Sequence, residues 1–210
     1  MSAPDRLVAE EIRASLGTKI IGCRVLVLES TRSTNDFVRQ MLTPALPEGV
    51  VVFAEHQTAG HGQRANLWHS AAYMGLWFSV LLRPQIPLTE SARLTTWAAA
   101  SVAETIREQF GLAASIKPPN DVYIDARKVC GVLVETKAAV GNQFAAIAGI
   151  GVNVNQPPAA FPEELRDRAG SLAMALGRNI NRQDFAVALL RELDRRYAEF
   201  FAPISSSQRR

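Results

Sequence analysis

Cysteine is almost missing from this chain: Cys23 and Cys130 are the only two in 210 residues. Two distant thiols make neither the spaced set of a zinc site nor the framework of a disulfide-stapled secreted domain. Both have apolar neighbours in sequence, so they read as packing residues of a reduced, cytoplasmic protein. Long hydrophobic runs are missing too. None approaches the ~18 residues that a membrane span requires. The first residues include acids and lack an apolar h-region, so no secretory signal is expected. No large excess of either charge exists. Lys and Arg outnumber Asp and Glu by 23 to 20, and setting aside Arg209 and Arg210 lowers the net charge from +3 to +1. A body so near neutrality is not the basic face of a nucleic-acid-binding domain. Repeats and interior linkers are absent, and only the tail around Ser205-Ser206-Ser207 is expected to be disordered. What is present is an apolar content of 48%, enough for one large domain with a substantial core.

The apolar spacing predicts where the elements lie. Leu7, Val8, Ile12 and Leu16 mark a short amphipathic helix over Arg6 to Leu16, stopped by Gly17. Cys23 to Leu28 reads as a strand. Ser33 with Asp36 forms a capping box for a helix carrying Phe37, Val38, Met41 and Leu42. Gly75 to Leu82 is a continuous apolar run, an interior strand. A long helix from Thr89-Glu90 to Phe110 puts Leu94, Trp97, Ala98, Val102 and Ile106 on one face, with Gly111 as its stop. Gly141-Asn142 reads as a hairpin turn, Ser171 to Leu176 as a short helix, and Asn181 with Asp184 as the cap of a last helix bearing Phe185, Leu189, Leu193, Tyr197 and Phe200.

Two stretches are denser in chemistry than the rest. The first runs from Val50 to Trp68. An apolar strand, Val50 to Ala54, feeds the polar loop Glu55-His56-Gln57-Thr58-Ala59-Gly60-His61-Gly62-Gln63-Arg64-Ala65-Asn66-Leu67-Trp68. Gly60 and Gly62 can take positive φ and turn successive N–H groups inward as an anion nest. His61, Gln63, Arg64 and Asn66 add side-chain donors, and Trp68 a flat face for stacking. Taken alone, this reads first as an ordinary Gly-containing surface turn.

The second stretch is Ile116 to Glu135. Pro118-Pro119-Asn120-Asp121 is a turn between short strands, with Lys117 beside it. A lysine and a carboxylate so close together are a common means of holding a nucleotide phosphate and its magnesium. Lys128 opens the apolar strand Val129 to Val134, where a lysine ordinarily snorkels to water. Gly131 within that strand signals a close approach to the backbone. Gly149-Ile150-Gly151-Val152-Asn153-Val154-Asn155 is no dinucleotide fingerprint, because no helix follows it.

In order along the chain, Ser33-Thr34-Asn35, the Gly60 to Trp68 loop, Lys117 through Asp121 with Arg127-Lys128 and Gly131, and Gly149 through Asn155 resemble the catalytic domain of biotin protein ligases. Ala169-Gly170-Ser171-Leu172 fits as well. Each motif is weak alone, and the ordered set is specific. The resemblance implies an α/β domain of α+β type, with a mixed central sheet flanked by helices, related to class II aminoacyl-tRNA synthetases and lipoate ligases. It also implies two steps: biotin and MgATP give biotinyl-AMP, and biotin then passes to a lysine of a biotin carboxyl carrier protein. A homodimer is compatible with it.

Residue by residue, the resemblance places biotin at Ser33, Thr34, Gln57, Gly60, His61 and Gly131. The nucleotide falls to Gln63, Arg64, Trp68, Lys117, Asn120, Asp121 and Asn153, with Mg2+ at Asp121. Lys128 matches the catalytic lysine, whose charge would stabilise the developing negative charge. The chain also departs from the family. The family loop Gly-Arg-Gly-Arg-Arg-Gly-Arg is here Gly60-His61-Gly62-Gln63-Arg64-Ala65-Asn66, so Gln63 stands where an arginine holds the adenylate. Pro118 replaces a tryptophan. A single catalytic domain is expected over residues 1–203, with a tail at 204–210, no room for an N-terminal DNA-binding domain and no full C-terminal β-domain. Two alternatives use the same motifs: a ligase for lipoate or octanoate, and a degenerate homologue that binds biotin without catalysis. Gln57 with Ser33-Thr34 favours biotin over a fatty acyl chain, and the retained Lys117, Asp121 and Lys128 favour catalysis.

Overall fold

The computed structural model describes residues 5–63, 66–138 and 143–201. The elements are α1 (Ala9–Leu16), β1 (Arg24–Leu28), α2 (Thr34–Met41), β2 (Val50–Ala54), β3 (Gly75–Leu82), α3 (Ala92–Phe110), β4 (Ser115–Lys117), β5 (Asp121–Ile124), β6 (Arg127–Ala138), β7 (Phe144–Asn153), α4 (Leu172–Leu176) and α5 (Arg182–Phe200). Their strands make one seven-stranded sheet in the order β1-β2-β3-β7-β6-β5-β4. β1 and β2 are parallel, and every other neighbouring pair is antiparallel. The mixed sheet with flanking helices agrees with the expected α/β class. None of the described helices is long and apolar enough to cross a membrane. The disordered-tail and Gly141-Asn142 expectations lie outside the described residues, as do Arg64 and Ala65 of the loop.

Strand alternation divides the sheet into two working faces. Leu76, Phe78, Val80 and Leu82 of β3, with Ala146, Ala148, Ile150 and Val152 of β7, enter the main core beneath α3 and α5. The opposite face carries a smaller cluster, in which Val38 of α2 packs on Val50, Val52, Leu81, Ala145 and Ile147. α2 covers only part of that second face. Beyond it lie Gly149, Gly151 and Gly131, where the sheet has no side chains to fill the space.

Local chemistry sets the element ends. Ser33 Oγ accepts the Asp36 N–H at 3.5 Å, while the Asp36 carboxylate turns to Arg39 at 2.6 Å and leaves the reciprocal half of the capping box unmade. Asn181 Oδ1 accepts the N–H groups of Gln183 and Asp184 at 2.9 and 3.1 Å. Gly17, Gly111 and Gly177 end their helices in the left-handed region. Two helices begin later than the sequence pattern predicts. α3 starts at Ala92, after a short 3-10 turn at Leu88–Glu90. α1 starts at Ala9 because the preceding residues are held elsewhere: Leu7 N–H donates to Glu55 Oε1 at 2.7 Å, and Asp5 contacts Arg182.

Arg182 is itself fully buried and pairs with Glu55 Oε2 at 2.8 Å while donating to Gly75 O at 3.0 Å. That ion pair closes the base of the long loop between β2 and β3. One cysteine expectation fails here. Cys130 is buried, but Cys23 is exposed, its thiol donating to Glu48 O at 3.0 Å, because it precedes an edge strand instead of lying within the core.

Candidate active site

The glycine-floored region between α2 and the β2–β3 loop forms two adjoining clefts. The first, about 300 Å³, is lined by Ser33, Thr34, Gln57, His61, Gln63, Asn120 and Gly131 among others. The second, about 410 Å³, is lined by His69, Tyr123, Asn153, Phe161, Leu165 and Arg168 among others. Asn66, Leu67, Trp68, Asp121 and Lys128 border both. The clefts therefore meet at one lysine, one carboxylate and one indole.

Lys128 reaches this junction through an irregularity of the sheet. Val122 faces Cys130, whereas Tyr123 faces Lys128, so Val129 is an extra residue in β6. The bulge turns both Val129 and Cys130 into the core and leaves Lys128 on the cleft side with Gly131. Strict alternation would have sent Lys128 inward with Cys130. Its ammonium lies 2.7 Å from Asp121 Oδ1 and 5.5 Å from the Trp68 ring centre. Burial pushes the Cys130 thiol well up, so it stays protonated and offers no nucleophile.

Trp68 rests on a bed of glycine. Gly131 and Gly151 are directly opposite across the β6–β7 ladder. A Cβ on Gly131 would lie 2.8 Å from the indole, and one on Gly151 would lie 2.6 Å from it. The signal at Gly131 was thus correctly that of a close approach, although what approaches is the protein's own Trp68. Trp77 meets the same ring edge-on at 6.1 Å.

The closed end of the first cleft is a hydrogen-bonded polar cluster. Gln57 Oε1 accepts the Thr34 N–H at 2.8 Å, and its Nε2 donates to Ser70 Oγ at 3.1 Å. Thr34 Oγ1 lies 3.1 Å from Gln57 Oε1 and 2.7 Å from Ser79 Oγ. Gly60 lies behind Gln57, in space where a Cβ would come 3.0 Å from that amide and from Trp68 O. The anion-nest expectation is overturned. Neither Gly60 nor Gly62 has positive φ, and the Gly62 N–H donates at 2.7 Å to Asn66 O. His61 is bridged to Leu67, and the Gly62 N–H is used within the loop and not for a ligand.

The remaining sequence candidates divide. Asn120 borders the first cleft, with Nδ2 donating to Val132 O at 3.1 Å. Asn153 borders the second, but its amide donates to Gly170 O at 2.9 Å and Lys128 O at 3.4 Å, and its oxygen accepts from Gln156. It fixes the backbone beneath Lys128. Lys117 lies off both clefts, exposed, its ammonium 5.7 Å from the Tyr123 ring centre. No group of three or more metal-ligating side chains occurs among the described residues. Asp121 alone makes no resident metal site, since magnesium held this way needs phosphates as further ligands. Ser79, Ser70, Tyr123 and Phe161 were not singled out by sequence. Only Ser79 carried a signal there, as the one hydroxyl in the apolar run Gly75 to Leu82.

The profile of the biotin/lipoate A/B protein ligase family matches residues 27–153. The chain belongs to that family. Over 205 residues it is 38% identical to the bifunctional ligase/repressor BirA of Bacillus subtilis, covering 96% of this chain and 63% of that protein. It is 31% identical over 210 residues to the biotin–[acetyl-CoA-carboxylase] ligase of Mycobacterium tuberculosis, covering 95% and 76%. Among solved structures, it is similar to the biotin protein ligase of Aquifex aeolicus in complex with biotin and ATP, with TM-score 0.72, 31% identity and coverage of 84% and 71%. The family segment contains α2, the whole β2–β3 loop and every strand from β2 to β7, and so the whole lining of the first cleft, while Phe161, Leu165, Arg168 and Ala169 of the second lie beyond it.

Proposed function

We propose that this chain is a biotin–protein ligase. The observation that carries the reading is the meeting of two clefts at Lys128, Asp121 and Trp68. One cleft ends in a polar cluster suited to a ureido ring, and the other has aromatic and arginine side chains suited to a nucleotide. Biotin enters the first with its ring against Thr34 and Gln57, its carboxylate directed to the junction. MgATP, as substrate, brings its α-phosphate to the same place from the second, with Trp68 beside the adenine. Asn120 and Asp121 face the phosphates and their magnesium.

A biotin carboxylate oxygen then attacks the α-phosphorus, and the bond to pyrophosphate breaks. Lys128 carries no covalent intermediate. Its charge stabilises the negative charge gathering on the phosphoryl oxygens, in the manner of an oxyanion hole. To do so it exchanges its contact with Asp121 for one with the ligand. In the second step the neutral amine of a carrier-protein lysine attacks the acyl carbon of biotinyl-AMP, the acyl–oxygen bond breaks, AMP leaves and the amine loses one proton.

Exchange of labelled pyrophosphate into ATP, measured with biotin, lipoate and octanoate in parallel, tests the reading. Exchange dependent on biotin alone supports it. Exchange with lipoate or octanoate and none with biotin overturns it in favour of another acyl acid, and no exchange with tight biotin binding identifies a non-catalytic binder.

A further inference from the structure

Ser79 is the only hydroxyl in β3, and it is fully buried. Its oxygen lies 2.7 Å from Thr34 Oγ1 and 2.6 Å from Asn35 Oδ1. One hydroxyl has one proton, and two such contacts need two.

The direction of each proton follows from the neighbours. Asn35 Nδ2 lies 2.7 Å from Glu135 Oε2 and 3.4 Å from Leu133 O, both acceptors, so the amide nitrogen must face them. Glu135 is itself paired with Arg39. The amide oxygen of Asn35 therefore faces Ser79 and Gly149, where any Cβ would collide with it. An amide oxygen can only accept. Ser79 must give its proton to Asn35, and the short contact between Ser79 and Thr34 must be filled by the proton of Thr34.

The cleft then has a defined sense. Gln57 is fixed with its nitrogen on Ser70 and its oxygen on the Thr34 N–H. Thr34 Oγ1 and Gln57 Oε1 lie 3.1 Å apart, and the hydroxyl proton that could have joined them is directed to Ser79. Two acceptor oxygens stand side by side at the end of the cleft, and their complement is an N–H donor.

We propose that Ser79 and Asn35, oriented by Glu135, are positioning residues that commit Thr34 to accept, so that the cleft selects an acyl acid bearing a ureido or amide N–H. The inference rests on the biotin reading above and adds the source of its discrimination against acids without an N–H group. In Ser79→Ala the Thr34 proton turns to Gln57 Oε1, and one of the paired acceptors is satisfied before the ligand arrives.

Pyrophosphate exchange and calorimetric biotin binding, measured for wild type, Ser79→Ala and Ser79→Cys, test this. Ser79→Ala is expected to raise the biotin KM and Kd about tenfold, a change of ~1.4 kcal/mol. Its kcat and ATP KM should stay near wild type. Ser79→Cys, with a weak S–H donor, should lie between. A biotin KM unchanged in Ser79→Ala overturns the proposal, and so does a parallel loss for biotin and ATP, which would make Ser79 a packing residue only. The wild-type arm separates the two readings: wild type that neither binds nor activates biotin overturns the ligase reading itself, whatever Ser79 does.

Discussion

Lys128 Nζ lies 2.7 Å from Asp121 Oδ1, with Asp121 directly across the ladder from Gly131. The pair is partly exposed, at 30% and 20%. It keeps the ammonium extended over the junction, since an unpaired lysine there would swing to water. Lys128→Ala removes the charge without touching the polar end of the first cleft. Adenylation should fall on the order of 10²–10³-fold while biotin affinity changes little. Pyrophosphate exchange beside biotin calorimetry checks both halves, and near-normal exchange would remove Lys128 from the mechanism.

Gly151 supports Trp68 by having no side chain. A methyl group there would lie 2.6 to 2.8 Å from three ring atoms, and the ring would have to lift. Gly151→Ala should weaken ATP and biotin binding together, because Trp68 borders both clefts. Tryptophan fluorescence should report the displaced ring while the fold is retained. Unchanged fluorescence and affinity would show that the indole has room to slide.

Gln63, at the position where the resemblance puts an arginine, borders the first cleft. Hydrogen bonds to charged groups are worth about 1.5–3 kcal/mol against roughly 1 for neutral ones. Wild type should therefore release biotinyl-AMP readily and label bystander lysines when no carrier is present. Gln63→Arg should slow release roughly tenfold, the factor for ~1.4 kcal/mol. Adenylate dissociation measured for both proteins decides it; equal retention would mean that another group closes the loop.

The buried pair of Arg182 and Glu55 predicts a stability effect. Arg182 is 0% exposed and Glu55 2%, so losing one partner strands the other's charge. Arg182→Ala should cost about 3–5 kcal/mol, read as a lower midpoint in urea. A replacement of both by apolar residues should cost less than the single change. If Arg182→Ala unfolds at the wild-type midpoint, the pair is not closing the loop's base.

Tyr197 gives a prediction about pH. Burial, then the nearby Glu48 charge and its hydrogen bond, push the phenol well above its ordinary value. A raised folded-state pKa favours the protonated form in the native protein. Its contribution is complete below the unfolded value of ~10 and declines as pH rises past it, because the unfolded chain ionises first. Burial raises Cys130 in the same sense. Stability should fall between about pH 8 and pH 11, and the fall should be shallower in Tyr197→Phe. Denaturant midpoints across that range supply the check; parallel slopes for the two proteins would assign the decline to other groups.

Most of the elements were legible in the amino-acid order, because their signals are local. Period-3.6 spacing marks α3 and α5, with Gly111 as the stop of the first and Asn181 as the cap of the second, and an apolar run marks β3. The exceptions have tertiary causes. Residues 6–8 would continue α1 by pattern, but Glu55 and Gln183, distant in sequence, take up the N–H groups of Leu7 and Val8 and hold them as a lead into the helix. Cys23 has apolar neighbours along the chain but is left exposed, since it lies just before the edge strand β1.

For the site, sequence by itself determined which residue types are present and in what order, and that order is enough to place the chain in its family. It determined that Lys128, Asp121, Trp68, Thr34 and Gln57 are available. Only the tertiary structure decided where they point. A one-residue bulge in pairing with β5 turns Lys128 outward, and strand register sets Gly131 against Gly151 to seat Trp68. The sense of Thr34 depends on Glu135, 101 positions away in sequence but linked to it through Asn35 and Ser79. Periodicity reports a face, whereas register, bulges and proton direction are fixed by partners that the local sequence does not contain.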